Sequence, residues 1–187
     1  MQHLLRTHLE NLVPLTDEEF ARVLSYVTFK TCKKRHLLIR AGESVREAYF
    51  VAKGLLKLVY ADAAGKSHIV SFAPEDWWES DFQAYYNQTP ATLSLECLED
   101  TAVWCLSLEN YHRLCAELPQ LTHFFLTKAL RGSMAAQQRI LSLLTTQAKE
   151  RYEQLLRLYP ALPQRVSKTL LASYLGVSRE TLSRLSA

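Results

Sequence analysis

The apolar positions of the chain repeat with two different periods, and the changes of period divide the sequence into three parts. Between Asp17 and Tyr26 apolar side chains recur every three or four positions, which predicts a helix that Thr16 or Asp17 caps. From Thr28 to Ser107 apolar and polar positions alternate in short runs, as in strands. Helical spacing returns at Leu108 and predicts further helices over 109–118, 120–145 and 147–158.

The alternating part predicts short strands joined by tight turns. The predicted strands lie at residues 37–39, 48–51, 55–60, 68–72, 92–97 and 102–106. A hairpin turn is predicted at Asp62 to Gly65, and the aromatic segment from Trp77 to Pro90 is predicted to be a short helix and loop. Short strands at turn-marked intervals favour a β-sandwich or a barrel-like roll.

The twenty positions from Val166 to Leu185 predict two short helices joined by a tight turn. Ser167 and Ser178 are suited to cap the two helices, and Gly176 stands where a helix ends in the left-handed conformation. Apolar stripes on both helices face each other, formed by Leu170, Leu171, Tyr174, Leu175, Leu182 and Leu185. This is the pattern of a helix-turn-helix, whose second helix enters the major groove of DNA.

The polar positions of this segment have the chemistry that DNA recognition needs. An arginine can bond two acceptors on a guanine edge, and a carboxylate can accept from cytosine N4. We therefore expect base contacts from Arg179, Glu180, Ser183 and Arg184, and backbone contacts from Ser167, Lys168, Thr169 and Ser178. The alternative is an ordinary helical hairpin with a solvated, charged face.

The long helix predicted over 120–145 carries two neighbouring stripes. One is mostly bulky, with Leu126, Leu130, Gln137, Leu141 and Leu144, and the other is small, with Ala129, Gly132 and Ala136. The small stripe would let a second copy of the helix approach closely. We predict a dimer face formed by Leu126, Ala129, Gly132, Ala136 and Ile140; the alternative is that both stripes pack on the roll.

Charge strengthens the DNA prediction. The 187 residues carry a formal net charge of +3, but no Lys or Arg occurs from Ser67 to His112, whereas the final third is basic. No apolar run is long enough to span a membrane, and polar residues interrupt the N-terminus too often for a signal peptide, so we expect a cytoplasmic protein. The four cysteines have no metal-binding spacing and are expected to be reduced thiols.

A β-roll, a long helix and a helix-turn-helix, in that order, resemble the Crp/Fnr family of bacterial transcription regulators. The resemblance rests on the following motifs: Ala41-Gly42-Glu43, Tyr49-Phe50-Val51 with Lys53-Gly54, Gly65-Lys66, and Gly176-Val177-Ser178-Arg179-Glu180-Thr181 with Arg184. It implies an α+β fold with a cyclic-nucleotide-binding-like β-roll (a double-stranded β-helix) at 1–118, a dimerisation helix at 119–145 and a DNA-binding domain at 146–187. The implied partners are double-stranded DNA, a second copy of the chain, RNA polymerase and an unidentified small-molecule effector.

The sequence departs from the family where its members bind cyclic nucleotides. Their phosphate cassette has a Gly-Glu pair, a short helix, and an Arg before Ser or Thr. The corresponding positions here are Trp78, Glu79, Ser80, Thr89, Ala91 and Thr92. Acidic side chains replace the cation that a cyclic phosphate needs, so we predict that cyclic AMP does not bind with the affinity that is usual in this family.

No other cofactor of the family has its ligands in this sequence. The N-terminus has no cysteine before Cys32 for an iron–sulfur cluster, and the histidines are isolated, which disfavours heme. The chain also ends two residues after Leu185, before a β-hairpin wing could follow; either the protein lacks a full wing or the sequence is cut short.

Two alternatives to a DNA-binding regulator stay open. A cupin-type enzyme would need clustered metal ligands, but no HxH or HxxH occurs, and we predict neither catalytic nor metal-binding residues. A sensor whose helix-turn-helix no longer binds DNA is the other alternative.

Overall fold

The computed structural model describes residues 1–185. Its helices and strands follow each other in mixed order, with eight strands in the first two thirds and helices at both ends. The strands are β1 Thr28–Cys32, β2 Leu37–Ile39, β3 Glu47–Lys53, β4 Leu56–Ala61, β5 Ser67–Ala73, β6 Trp78–Glu79, β7 Ser94–Cys97 and β8 Thr101–Ser107. The helices are α1 Gln2–Glu10, α2 Asp17–Tyr26, α3 Phe82–Asn87, α4 Leu108–Glu117, α5 Pro119–Thr145, α6 Ala148–Leu158, α7 Leu162–Arg165, α8 Lys168–Leu175 and α9 Arg179–Leu185.

The strands form two four-stranded antiparallel sheets, with the orders β1-β8-β3-β6 and β2-β7-β4-β5. Chain neighbours therefore often lie in different sheets, which makes the strands a roll rather than a meander. The hairpin between β4 and β5 pairs Ala61 with Ser67 around Gly65, in the left-handed conformation with φ +78°. The predicted β-roll is confirmed, with strand ends that differ from the predicted ones by one or two residues.

Several elements had no clear signal in the sequence. Helix α1 starts without a side-chain cap, and only Leu5, His8 and Leu9 are buried on it. Strand β1 is mostly exposed and is held by its pairing with β8, where the Phe29 and Trp104 rings lie 4.9 Å apart. The predicted linker before the helix-turn-helix contains the four-residue helix α7. Each of these depends on contacts with distant parts of the chain.

Three apolar clusters hold the molecule together. The first joins α1, α2, α4 and the start of α5 to the outer face of one sheet, with Phe50 and Phe124 fully buried at its centre. The second fills the space between the two sheets. The third lies between the second sheet and the C-terminal helices, where Leu55, Ile69 and Phe72 of the roll contact Leu171 and Leu175 of α8, among others. This third cluster, which we call the shared core, crosses from the roll into the predicted DNA-binding domain.

No helix within residues 1–185 combines the length and hydropathy that crossing a bilayer requires.

Candidate nucleic-acid interface

Helices α8 and α9 form a tight helix-turn-helix whose ends are capped as their sequence predicts. The Ser167 hydroxyl oxygen accepts from the Leu170 N–H at 3.3 Å, and the Ser178 hydroxyl oxygen accepts from the Thr181 N–H at 3.1 Å. Gly176 ends α8 with φ +68°, and the Val177 N–H then bonds back to the Ala172 carbonyl at 3.0 Å. The turn thereby fixes the angle between the two helices.

Every residue predicted to contact DNA is exposed. On α9 the exposed positions are Arg179, Glu180, Ser183 and Arg184, while Leu182 between them is 1% exposed and packs into the shared core. Residues four apart lie on the same side of a helix, so Arg179 lies beside Ser183 and Glu180 beside Arg184. Ser167, Lys168 and Thr169 are exposed at the start of α8.

Hydrogen bonds at the start of α9 favour the ionised form of the Glu180 side chain. The backbone N–H of Glu180 and then the Ser178 hydroxyl hydrogen-bond to the Glu180 side chain and lower its pKa, and the nearby arginines act in the same direction. The carboxylate is therefore ionised at neutral pH and can only accept hydrogen bonds, as contact with a cytosine amino group requires.

One arginine that the sequence did not single out joins the long helix to both other parts. The Arg139 guanidinium lies over the Tyr174 ring, 3.6 Å from its centroid, and donates to the Tyr174 carbonyl at 2.8 Å and the Ile69 carbonyl at 3.3 Å. Helix α5, strand β5 and helix α8 thus meet at one side chain. Its partners are two backbone oxygens and a ring far away in the sequence, so no local pattern could have indicated this role.

One face of the middle and end of α5 stands clear of the rest of the chain. The predicted dimer-face residues Leu126, Ala129, Gly132, Ala136 and Ile140 are all exposed, and so are Leu130, Met134, Leu141 and Leu144. The alternative that both stripes pack on the roll is therefore wrong. A long apolar helix face without a partner remains.

The residues predicted for the effector pocket are divided between buried and exposed positions. Trp78 packs against Phe50 and Phe125, Ala91 is buried in the roll, and Thr89 is exposed. A surface recess of about 300 Å³ lies elsewhere, between β1, β2 and the loop before β3, and none of the six predicted residues lines it.

Asp81, which the sequence analysis did not single out, occupies the centre of the predicted pocket. Its side chain is 2% exposed and caps α3 by accepting from the Ala84 N–H at 3.2 Å. Its other oxygen accepts from the Thr92 N–H at 2.8 Å, the Leu93 N–H at 3.0 Å and the Thr92 hydroxyl at 3.2 Å. The N–H donors that converge here thus already hold a carboxylate of the chain itself.

The neighbouring Glu79 is buried without a cation. It accepts from the Ser71 hydroxyl at 2.6 Å and from the Ser80 N–H at 3.1 Å. Burial raises the pKa of Glu79 to about 7, and the two hydrogen bonds only partly oppose this. Within residues 1–185 no group of three or more His, Cys, Asp or Glu side chains is placed to bind a metal ion.

The chain resembles known proteins in sequence over the roll and in fold over most of its length. Residues 29–117 match the cyclic nucleotide-binding domain family, whereas no curated protein matches the chain. Among solved structures, FixK2 from Bradyrhizobium japonicum has a TM-score of 0.75 at 18% identity. The aligned region covers 86% of this chain and 82% of the FixK2 chain. The catabolite activator protein of Thermus thermophilus has a TM-score of 0.58 at 23% identity, covering 96% and 84%.

A third similar structure is the c-di-GMP-responsive global regulator CLP of Xanthomonas campestris, with a TM-score of 0.72 at 15% identity, covering 91% of this chain and 89% of that one. At such identities the likeness concerns the fold, and it confirms the predicted architecture: a β-roll, a long helix and C-terminal helices, arranged as in these solved structures.

Replacing Glu79 by Gln should remove a pH dependence of stability. The unfolded chain ionises Glu79 near its ordinary pKa of 4.5, whereas the folded chain keeps the proton until about pH 7. The folded state therefore binds more protons in this range, and its stability falls as pH rises from about 4.5 to 7. Urea unfolding at pH 5 and pH 8 should show Glu79→Gln gaining on the order of 2 kcal/mol over the parent at the higher pH. The exposed Glu18→Gln is the control; equal pH slopes for the parent and Glu79→Gln would contradict the assignment.

Proposed function

We propose that the protein is a DNA-binding transcription regulator of the Crp/Fnr type that acts as a homodimer on a two-fold symmetric site. The observation that carries the proposal is the helix α9, on which Arg179, Glu180, Ser183 and Arg184 are exposed while Leu182 anchors the helix in the shared core. A helix held from behind in this way presents its polar face rigidly, as base recognition in the major groove requires.

The polar residues of the helix pair divide into two roles. Arg179 and Arg184 are suited to bond guanine edges and Glu180 to accept from cytosine, and these contacts would give sequence specificity. Ser167, Lys168, Thr169 and Ser178 would contact phosphates and set the register of the protein on the duplex. The Ser167 oxygen already accepts an N–H bond as a helix cap, so its hydroxyl group would act on phosphate as a donor.

The exposed face of α5 supports a second copy of the chain as partner. Leu130, Met134, Gln137, Leu141 and Leu144 follow each other at alternating spacings of four and three, which is the heptad pattern of a two-helix seam. Arg139 lies on the opposite side of the helix, because two residues turn the chain through about 200°. The seam and the junction with the roll therefore use different faces, and Leu126 and Ile140 would lie at the edges of the seam. Of the predicted small residues, Gly132 precedes Arg139 by seven positions and therefore lies on the Arg139 side of the helix, and Ala129 and Ala136 lie between it and the Ile140 edge of the seam.

The buried Asp81 supports the proposal that cyclic AMP is not the effector. A cyclic phosphate in this pocket would have to displace a carboxylate that accepts four hydrogen bonds, and it would find Glu79 beside it rather than a cation. Titration calorimetry with micromolar cyclic AMP should therefore show no binding to the parent protein. Saturable heat at such concentrations would contradict this part of the proposal, and it would leave the DNA contacts untouched.

The DNA contacts are tested by two substitutions that should act differently. Arg184→Ala should weaken binding to a selected duplex by about 1–3 kcal/mol and relax the preference at one base pair per half-site. Lys168→Ala should weaken binding to all sequences alike and lower the slope of log affinity against log salt by about one. Fluorescence anisotropy with specific and random duplexes measures both, and Lys34→Ala on the roll is the charge-matched control.

If the helix pair has lost DNA binding, the parent itself will bind neither the specific nor the random duplex. If both variants bind like the parent, the helix pair is not the DNA-binding surface.

The dimer face is tested by placing a charge in the proposed seam. Leu130→Asp should convert the dimer into a monomer that keeps its fold, since Leu130 is 57% exposed within one chain and supports no internal packing. Analytical ultracentrifugation measures the mass, and circular dichroism the fold. Ala135→Asp introduces the same charge at an exposed site away from the seam and should leave the dimer intact. A Leu130→Asp variant with the parent's mass would rule out this seam.

A further inference from the structure

One guanidinium group ties the base of the helix pair to the end of the roll. Arg165, the last residue of α7, contacts two carboxylates at once. Its Nε and Nη2 donate to the two Glu99 oxygens at 2.9 and 2.7 Å, and its Nη1 and Nη2 donate to the two Glu75 oxygens at 2.8 and 3.0 Å. We call these three residues the clasp. Two bidentate pairs fix both the position and the plane of the guanidinium group, whereas a single ion pair does not.

The two carboxylates come from two different turns of the roll. Glu75 lies between β5 and β6, and Glu99 lies between β7 and β8. Glu75 is itself fixed, because its Oε1 also accepts from the Gly54 N–H at 2.8 Å. Gly54 has φ +97° and lies so close to Thr101 that a side chain at this position would collide with the Thr101 backbone. The clasp therefore joins two turns of the roll to the residue two positions before Ser167.

Arg165 and Glu75 favour each other's charged form. Burial alone would raise the pKa of Glu75, but the hydrogen bonds from Arg165 and from backbone N–H groups outweigh it, so the pKa is lowered. Glu99 and Glu75 raise the pKa of Arg165 in turn. The side chains are between 23% and 38% exposed, so salt screens these pairs less than it screens pairs in open solvent.

Apart from the clasp, the apolar shared core holds the helix pair in place, together with Arg139 and a hydrogen bond from the Ser173 hydroxyl to the Ser67 carbonyl at 3.3 Å. Helix α5 ends at Thr145, and the extended backbone of Thr146 and Gln147 separates it from α6. Such a break is a natural pivot for the helices that follow. Arg139 holds α8 from the α5 side of the shared core, while Arg165 holds the opposite end, next to the roll turns.

We propose that the clasp fixes the direction of the recognition helix by seating the helix pair on the roll, and that opening it is the step by which a change in the roll turns reaches the DNA. The seating is a property of this chain alone. Its consequence for DNA rests on the function proposed above. Both carboxylates lie in turns. A ligand or protein that shifts either turn would therefore break half of the clasp, and it would favour a state in which the helix pair is no longer seated on the roll.

The seating is tested without DNA, by hydrogen exchange of the full-length protein. In Arg165→Ala the amides of α8 should exchange at least about tenfold faster than in the parent, whereas those of β3 and β8 keep their protection. The double variant Glu75→Gln with Glu99→Gln should do the same while retaining Arg165. Arg157→Ala removes a charge from the same module at an exposed position and should change nothing. Unchanged α8 exchange in both clasp variants would overturn the proposal.

The consequence for DNA is tested by comparing full and half operators. When the helix pair takes up many orientations, the affinity for a duplex with two half-sites is multiplied by the fraction of molecules in which the helix pair is correctly oriented. Both clasp variants should therefore lose at least about tenfold on the full site and less than about twofold on a single half-site. Faster α8 exchange with no loss on the full site would overturn the link to DNA. A parent that binds no DNA would refute the proposed function, while the exchange result would still decide whether the clasp seats the module.

Discussion

The shared core between the roll and the C-terminal helices is the constraint on which the rest of the structure depends. Helices α7, α8 and α9 have only four, eight and seven residues, too few to bury an apolar core by themselves. Phe72, Ile69 and Leu55 of the roll complete that core, and Phe72 lies 5.2 Å from the Tyr174 ring. The contacts that stabilise the helix pair therefore also fix its position on the roll.

The uneven distribution of charge has a structural meaning in this arrangement. The stretch without basic residues supplies Glu75 and Glu99 to the base of the helix pair, where Arg165 pairs with both. Other arginines have different tasks: Arg139 stacks on an aromatic ring inside the molecule, and Arg179 and Arg184 point outward. The basic end of the chain is thus divided between residues that seat the module and residues left for a polyanion such as DNA.

The elements that could be predicted from the sequence are those with a local code. The Thr16 capping box, the hairpin at Gly65, and the Ser167, Gly176 and Ser178 turn chemistry each need only a few neighbouring residues, and the structure has all of them. Leu182 could be identified as buried because the spacing of apolar residues repeats within one helix.

What the sequence could not indicate depends on contacts between distant segments. Asp81 was one acid among many until the fold placed it under the Thr92 and Leu93 N–H groups. The partners of Arg165 lie 66 and 90 positions away, and nothing near it in the sequence marks it as different from an exposed arginine. The open space around α5 likewise required the fold, since an apolar stripe has the same pattern whether it faces a roll or a second helix.

The central claim is that two copies of this chain, joined along α5, present two recognition helices to one duplex. Selection of bound sequences from a random DNA pool with the parent protein tests it most directly. The account predicts an enriched motif with two-fold symmetry and half-sites about one helical turn, roughly 34 Å, apart. Enrichment of an asymmetric motif, or no enrichment over the starting pool, would contradict it.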